Sequence, residues 1–178
     1  MAELTEAQRI RIARGKAWID ENAAKEPEEN AAQMRERCDR FLEEIEGLSE
    51  GQLAFVEAEG KWTIREVSLH VAHAIPRVGT LVPLLAGGTE PPPRKPKAGV
   101  LGDDPGSFDA LLAELRTGFD KAVGVVDSLK DSPDLEPKAE HPFFGHLQCL
   151  EWYAFNVLHI TVHVAQVQRI KANVGFPG

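Results

Sequence analysis

The sequence predicts an all-α fold: a bundle of four amphipathic helices, one long crossover connection and an extra helix at the N-terminus. Three observations carry this. Four segments carry apolar residues with helical periodicity, most cleanly the one from Ala31 to Leu48, where they alternate at spacings of three and four. No segment alternates polar and apolar residues for long enough to demand a sheet. The connections between the periodic segments are rich in Pro and Gly. A chain of 178 residues fits one domain, or one domain with an extension, and a domain of that size buries roughly 70% of its unfolded surface.

From Thr5 to Lys25 the chain is rich in helix formers, and Thr5 is a suitable N-cap. The apolar residues Leu4, Ile10, Ile12, Ala13, Trp18 and Ile19 scatter around the wheel. Residues 1–27 therefore read as an accessory helix docked on a bundle domain of residues 28–178. Glu26-Pro27-Glu28-Glu29 breaks and restarts the chain. A second helix, about Ala31 to Leu48, carries the stripe Met34, Cys38, Phe41, Ile45 and Leu48. Cys38 in that stripe reads as a small buried residue before it reads as a reactive thiol.

A loop from Ser49 to Lys61 leads to Trp62 and to the capping box Thr63-Ile-Arg-Glu66, which opens a third helix over about Ile64–Ala86. Pro76 falls inside this helix and predicts a kink one turn past His73. Val67, Val71, Val78, Val82 and Leu85 make its apolar face, with Glu66, His70, His73 and Arg77 along the neighbouring edge. The stretch from Gly87 to Gly106 holds Pro91, Pro92, Pro93, Pro96 and Pro105 and reads as an extended crossover. Its length permits a parallel step between the third helix and the fourth. The fourth helix, about Ser107 to Leu129, bears Phe108, Leu111, Leu112, Leu115, Phe119, Ala122, Val126 and Leu129 on one stripe. Lys130 to His146 reads as a second Pro-rich loop, and a last helix runs from about Gln148 to Asn173 with Gly175 past its end. That helix is apolar nearly all round, so it must be covered on several sides. Either the N-terminal helix or a second subunit covers it; a homodimer is expected.

The formal net charge of −8 opposes a phosphate backbone, so no nucleic-acid partner is expected. The first residues lack the apolar core of a signal peptide, and no apolar run approaches the ~18 residues of a membrane span. Only Cys38 and Cys149 are present, which suits a reducing cytoplasm rather than a disulfide framework.

The chemistry concentrates on His159 and His163, four residues apart on the last helix. Residues at that spacing share a face with Cβ atoms roughly 5–6 Å apart. The same face carries Gln148, Trp152, Phe155, Gln166 and Ile170, so the pair points into an apolar interior. Two readings are open: two ligands of one metal ion, or core histidines in a metal-free hydrogen-bonded network with Gln166. His70 is the candidate third ligand, because catalytic zinc-type sites use three protein ligands and an open position. No His follows a Glu by three residues, so the di-iron bundle motif is absent. H-E-x-x-H, C-x-x-C, P-loop, G-x-G-x-x-G and G-x-S-x-G motifs are absent as well.

Three stretches match a known pattern: Gly60-Lys-Trp-Thr-Ile-Arg-Glu-Val-Ser-Leu-His70-Val-Ala-His73, His141-Pro-Phe-Phe-Gly-His-Leu147, and Glu151 to Gln166 with its two histidines. In order and spacing they resemble the DinB/YfiT-like superfamily of metal-dependent bundle proteins, over about Ala31 to the C-terminus. The resemblance implies an up-down-down-up four-helix bundle, often dimeric. It further implies a divalent metal, commonly zinc or nickel, held by His70, His159 and His163. Members with known activities use low-molecular-weight thiols as S-transferases or isomerise a thiol-linked intermediate. The chain departs from the pattern at His73, where some relatives have an acidic residue, and in its N-terminal helix.

On this reading the metal activates a thiol or a water toward a small-molecule substrate, as in a thiol S-transferase or a hydrolase. The alternative is a non-catalytic metal-binding or interaction bundle. Glu66, one turn before His70, is a candidate base or orienting group, or it only completes the capping box with Thr63. Gln166 and Arg77 are candidate substrate or ligand-supporting residues, although an exposed Arg77 solvating its face is the simpler reading. His141 enters as a site residue on the resemblance alone, and His146 beside it reads equally as a solvated loop residue. Cys149 sits near a helix N-terminus, which lowers a thiol pKa, yet a structural role is the simpler reading.

Overall fold

Each long helix starts where the chain can relieve its first unpaired backbone amides. In the computed structural model, which describes residues 5–92 and 97–178, capping boxes built on Thr5, Thr63 and Gln148 open α1 (Glu6–Ala23), α4 (Ile64–Ala86) and α6 (Cys149–Lys171). Ser107 caps α5 (Phe108–Gly124) by accepting from the Ala110 amide. α2 (Pro27–Ile45) begins with proline at its first position, where the missing amide costs nothing. A one-turn helix, α3 (Glu50–Leu53), sits in the loop that follows. Leu4 and the Pro93-Arg94-Lys95-Pro96 part of the crossover lie outside the described residues.

Helix directions follow from which residues meet. Along α4 and α5, Pro76 faces Gly118 and Gly79 faces Ala122, so the two run parallel. Between α4 and α6, His70 meets His159 and Asn156 reaches the Ile75 carbonyl, which makes that pair antiparallel. Phe41 meets Phe119 edge-on and Glu46 meets Arg116, so α2 and α5 are antiparallel. Glu44 is bonded to Gln168 and Lys171, joining α2 and α6 at their C-terminal ends. The result is an up-down-down-up bundle with α6 between α2 and α4. α1 lies outside, on α6.

Of the two covers expected for the all-round apolar α6, α1 is one. Gly15 lets α1 approach the Phe144 ring and Leu158, and Lys16 pairs with Glu151 at 3.0 Å. Ile19 of α1 is fully buried, although the scattered wheel of that helix gives no stripe. The core is built from Met34, Cys38, Phe41 and Ile45 of α2, Val67 to Leu85 of α4, Leu111 to Phe119 of α5, and Tyr153, Val157, Ile160 and Val164 of α6. Among the described residues α4 is long and apolar enough to cross a membrane, with a mean hydropathy of 1.2. Its Val67, Val71, Ile75, Val78 and Val82 are buried in the bundle, and its other edge is polar.

The differences from the sequence reading are local. α2 starts at Pro27, four residues before Ala31, because a proline that ends one helix can also be the first residue of the next. α5 tightens at Val125–Leu129 into a 3-10 turn. α6 closes at Ala172 rather than against Gly175. The loop from Lys130 to His146 contributes to a hairpin of β1 (Ala139–His141) and β2 (Gly145–Leu147), paired antiparallel with Ala139 opposite Leu147. Strands of three residues are too short to leave a period-two signal.

The closeness of α4 and α5 is testable at their glycines. A Cβ at Gly118 would lie 2.7 Å from Pro76 Cγ, whereas one at Gly124 meets nothing within 4 Å. Gly118→Ala is expected to destabilise by about 1–2 kcal/mol, overpacking outweighing the gain in helix propensity. Gly124→Ala is expected to stabilise by about 0.5 kcal/mol. Urea unfolding curves of the two variants, with unchanged slopes, check both signs.

Candidate metal centre

The capping box at Thr63 fixes where α4 begins and thereby the face on which His70 emerges. Antiparallel packing carries that face onto the one-turn-separated His159 and His163 of α6. The ring centroids lie 5.1 Å apart for His70–His159, 4.9 Å for His70–His163 and 4.7 Å for His159–His163. One ring nitrogen from each lies within 4.8 Å of the other two. His70 Nε2 and His159 Nε2 are 3.0 Å apart. A tetrahedral zinc ion needs its imidazole nitrogens roughly 3.3 Å apart, so this pair is within a small adjustment of a ligand pair.

The outer nitrogens decide which inner ones are free. His70 Nδ1 donates to the Val100 carbonyl at 2.7 Å. His163 Nδ1 donates to Gln166 Oε1 at 2.9 Å. Both contacts leave Nε2 without a proton and with its lone pair turned inward, the arrangement metal-ligating histidines adopt. His159 differs. Its Nδ1 is buried without a partner, and its ring stacks on Phe155 at 5.3 Å. The Trp62 ring stands beside His70 at 5.1 Å.

Burial holds all three rings neutral. It lowers the pKa of His70 even though the Val100 contact acts the other way. Burial, then the neighbouring His70, brings His163 down to about 4. Burial, then His163 and His70, puts His159 well below the ordinary histidine range. Three uncharged imidazoles with converging nitrogens are a donor set for a divalent cation such as zinc or nickel. The residues present fit a metal.

The remaining candidates fall in different places. Gln166 belongs to the centre as the hydrogen-bond partner of His163. Glu66 does not orient His70: its Oε2 accepts from the Thr63 amide at 2.8 Å, and the Val100 carbonyl takes the place expected of it. The polar edge of α4 puts Glu66 near enough in sequence, but the helix N-terminus claims its carboxylate. His141 is outside the cluster. Its Nδ1 accepts from the Phe143 and Phe144 amides at 3.1 and 3.2 Å, which ties the hairpin turn. Its ring lies 4.4 Å from Phe155, which also stacks on His159. Arg77 is exposed and donates to His73 Nε2 at 3.1 Å, and His146 is exposed on β2. Burial raises the thiol pKa of Cys38 and of Cys149, whose Sγ donates to the Asp134 carbonyl at 3.4 Å. The contact with no counterpart in the sequence reading is the Val100 carbonyl, since a backbone acceptor has no side-chain signature.

Comparison with known proteins adds two findings. The family model described as the DinB superfamily matches residues 10–167, from within α1 to near the end of α6. The fold is similar to that of YfiT from Bacillus subtilis, described as a probable metal-dependent hydrolase with an unusual four-helix bundle topology. That structure is 17% identical, with a TM-score of 0.66 over 99% of this chain and 93% of that chain. No curated protein matches the sequence.

The buried histidines set an acid limit on the metal-free protein. Burial pulls His141 and His163 from the ordinary histidine value of 6.5 down to about 4 in the folded state. The unfolded chain therefore binds their protons first as pH falls. Their contribution is complete above pH 6.5 and is lost between there and about 4. Each contributes on the order of 3 kcal/mol. Unfolding free energy measured from pH 7.5 to 4 is expected to decline, with a shallower slope in His141→Asn. Equal slopes would show that His141 titrates normally in the fold.

Proposed function

The chain belongs to the DinB superfamily, and on that footing we propose that it is a metal-dependent enzyme. In this reading His70, His159 and His163 hold a divalent ion, zinc or nickel. A low-molecular-weight thiol or water is the nucleophile toward a small-molecule substrate, as in a thiol S-transferase or a hydrolase. The observation that carries the proposal is the convergence of three neutral imidazole nitrogens within 4.8 Å. When bound, the ion supplies Lewis acidity that brings the pKa of a coordinated thiol or water toward neutrality.

The chain's own residues do the rest. Val100 and Gln166 lock His70 and His163 in the tautomer that presents Nε2. Trp62 and Phe155 wall the centre with apolar surface and limit water around it. YfiT's description as a probable metal-dependent hydrolase supports the water variant. The thiol variant rests on the sequence resemblance.

A second reading, a metal-binding or interaction bundle without turnover, draws on Glu66. Its carboxylate is committed to the helix cap, and no carboxylate joins the three-histidine cluster among the described residues. Under the enzymatic reading the nucleophile's proton therefore leaves to solvent or substrate. We further propose a homodimer in the cytoplasm. Val162 on α6 is 53% exposed and offers apolar surface to a second copy. Both cysteines are free and buried.

Metal analysis of tag-free protein tests the centre. One divalent ion per chain is expected in the wild type, and a loss of at least ten-fold in occupancy in His159→Ala. No metal after growth in supplemented medium would refute both readings. Metal-loaded protein is then assayed with several thiols plus an electrophile, and with ester and amide substrates. Turnover above that of His163→Ala supports the enzyme; its absence throughout leaves the binding bundle.

A further inference from the structure

We propose that the end of the α4–α5 crossover, residues 97–106, is a positioning strap for the three-histidine centre. The Arg65–Asp104 ion pair anchors it, and Gly102 lets it lie against α4. The inference rests on the metal-binding reading above, but it concerns a part of the chain that contributes no ligand.

The strap is hydrogen-bonded to His70 through the Val100 carbonyl oxygen, 2.7 Å from Nδ1. Val100 and Leu101 are 38% and 37% exposed, so neither is a core residue that fixes the segment by full burial. The backbone conformation and one ion pair add to what holds the carbonyl in place. Gly99 has φ +66, a left-handed conformation that L side chains rarely adopt, and it lies against the Trp62 ring. A Cβ on Gly102 would lie 3.0 Å from both the Leu69 carbonyl oxygen and His73 Cβ, so any larger residue forces the strap and α4 a few tenths of an ångström apart.

Two residues further on, Asp104 receives Arg65 in a two-point contact, Nε to Oδ2 at 2.9 Å and Nη2 to Oδ1 at 2.7 Å. Asp104 Oδ1 also accepts from the Gly106 amide at 2.9 Å, which closes the turn behind it. Arg65 and His70 stand on the same rigid helix, five residues apart. Clamping the strap to Arg65 therefore sets where the Val100 carbonyl meets the imidazole. Arg65 is a positioning residue that acts on the ligand through the strap.

A surface ion pair of this kind adds little to global stability. Losing the outer partner of a metal-ligating histidine, by contrast, costs roughly 10–100-fold in metal affinity. The two effects separate in one experiment. Wild type, Arg65→Ala, Arg65→Lys, Asp104→Ala, the Arg65→Ala/Asp104→Ala double variant and Gly102→Ala are titrated with Co2+, followed by its visible d–d absorption. Their thermal unfolding is recorded in parallel. The His70 tautomer is read in the metal-free proteins from long-range 1H–15N correlations.

Arg65→Ala and Asp104→Ala are each expected to bind Co2+ about ten-fold more weakly with nearly unchanged melting, and the double variant no more weakly than either. Arg65→Lys is expected to recover most of the affinity. In metal-free wild type His70 carries its proton on Nδ1, and in Gly102→Ala that preference is lost. If Gly102→Ala fails to fold, the ion-pair variants decide alone. Wild-type Co2+ affinity and an unchanged His70 tautomer in the ion-pair variants would overturn the strap. If wild type binds no Co2+, the metal reading fails, and the tautomer in metal-free Arg65→Ala still decides whether the strap orients His70.

Discussion

The antiparallel contact of α4 with α6 is the constraint on which the rest depends. It brings three imidazoles together in a part of the bundle where a polar ring is costly unless its nitrogens are satisfied. The protein meets that cost unevenly. Val100 satisfies His70, Gln166 satisfies His163, and one buried nitrogen of His159 has no partner. Burial, reinforced at His159 and His163 by the neighbouring rings, keeps all three rings uncharged near neutral pH. Low basicity and converging geometry thus have a single origin, the packing of two helices.

The crossover serves two purposes for one physical reason. Parallel neighbours such as α4 and α5 cannot be joined by a tight turn, so the chain must travel back along the bundle. On its way it passes the N-terminal half of α4 and delivers a backbone carbonyl to His70. α1 is used in a comparable way at the other flank. It adds no residue to the three-histidine cluster, yet it covers α6 beside the hairpin whose Phe144 packs near His141 and Phe155. Elements that look peripheral in sequence hold the walls of the centre.

Much of the bundle was legible because its cause is local. The stripe of α2, the Thr63-to-Glu66 capping box and the exact span of α4 follow from residue spacing and from backbone amides that need acceptors. The hairpin at Ala139–Leu147 was not legible, because three-residue strands leave no periodicity. The restart at Glu26–Glu29 is visible in the sequence, but its exact residue is not, since a proline that ends one helix can also be the first residue of the next. Glu66 shows the limit at the centre itself. Its position one turn before His70 suits a base, and only the folded chain reveals that the Thr63 amide holds its carboxylate.

The sequence by itself determined the all-helical class, the helix faces, and the identity of the three histidines as a candidate donor set. Those properties depend on the order and type of neighbouring residues. Only the tertiary structure decided that His70 meets His159 and His163, that Val100 rather than Glu66 orients it, and that α1 covers α6. Each of these is a contact between residues far apart in the chain. Such contacts are set by how helices pack and where a connection runs, and no local pattern of side chains encodes the position of a backbone carbonyl.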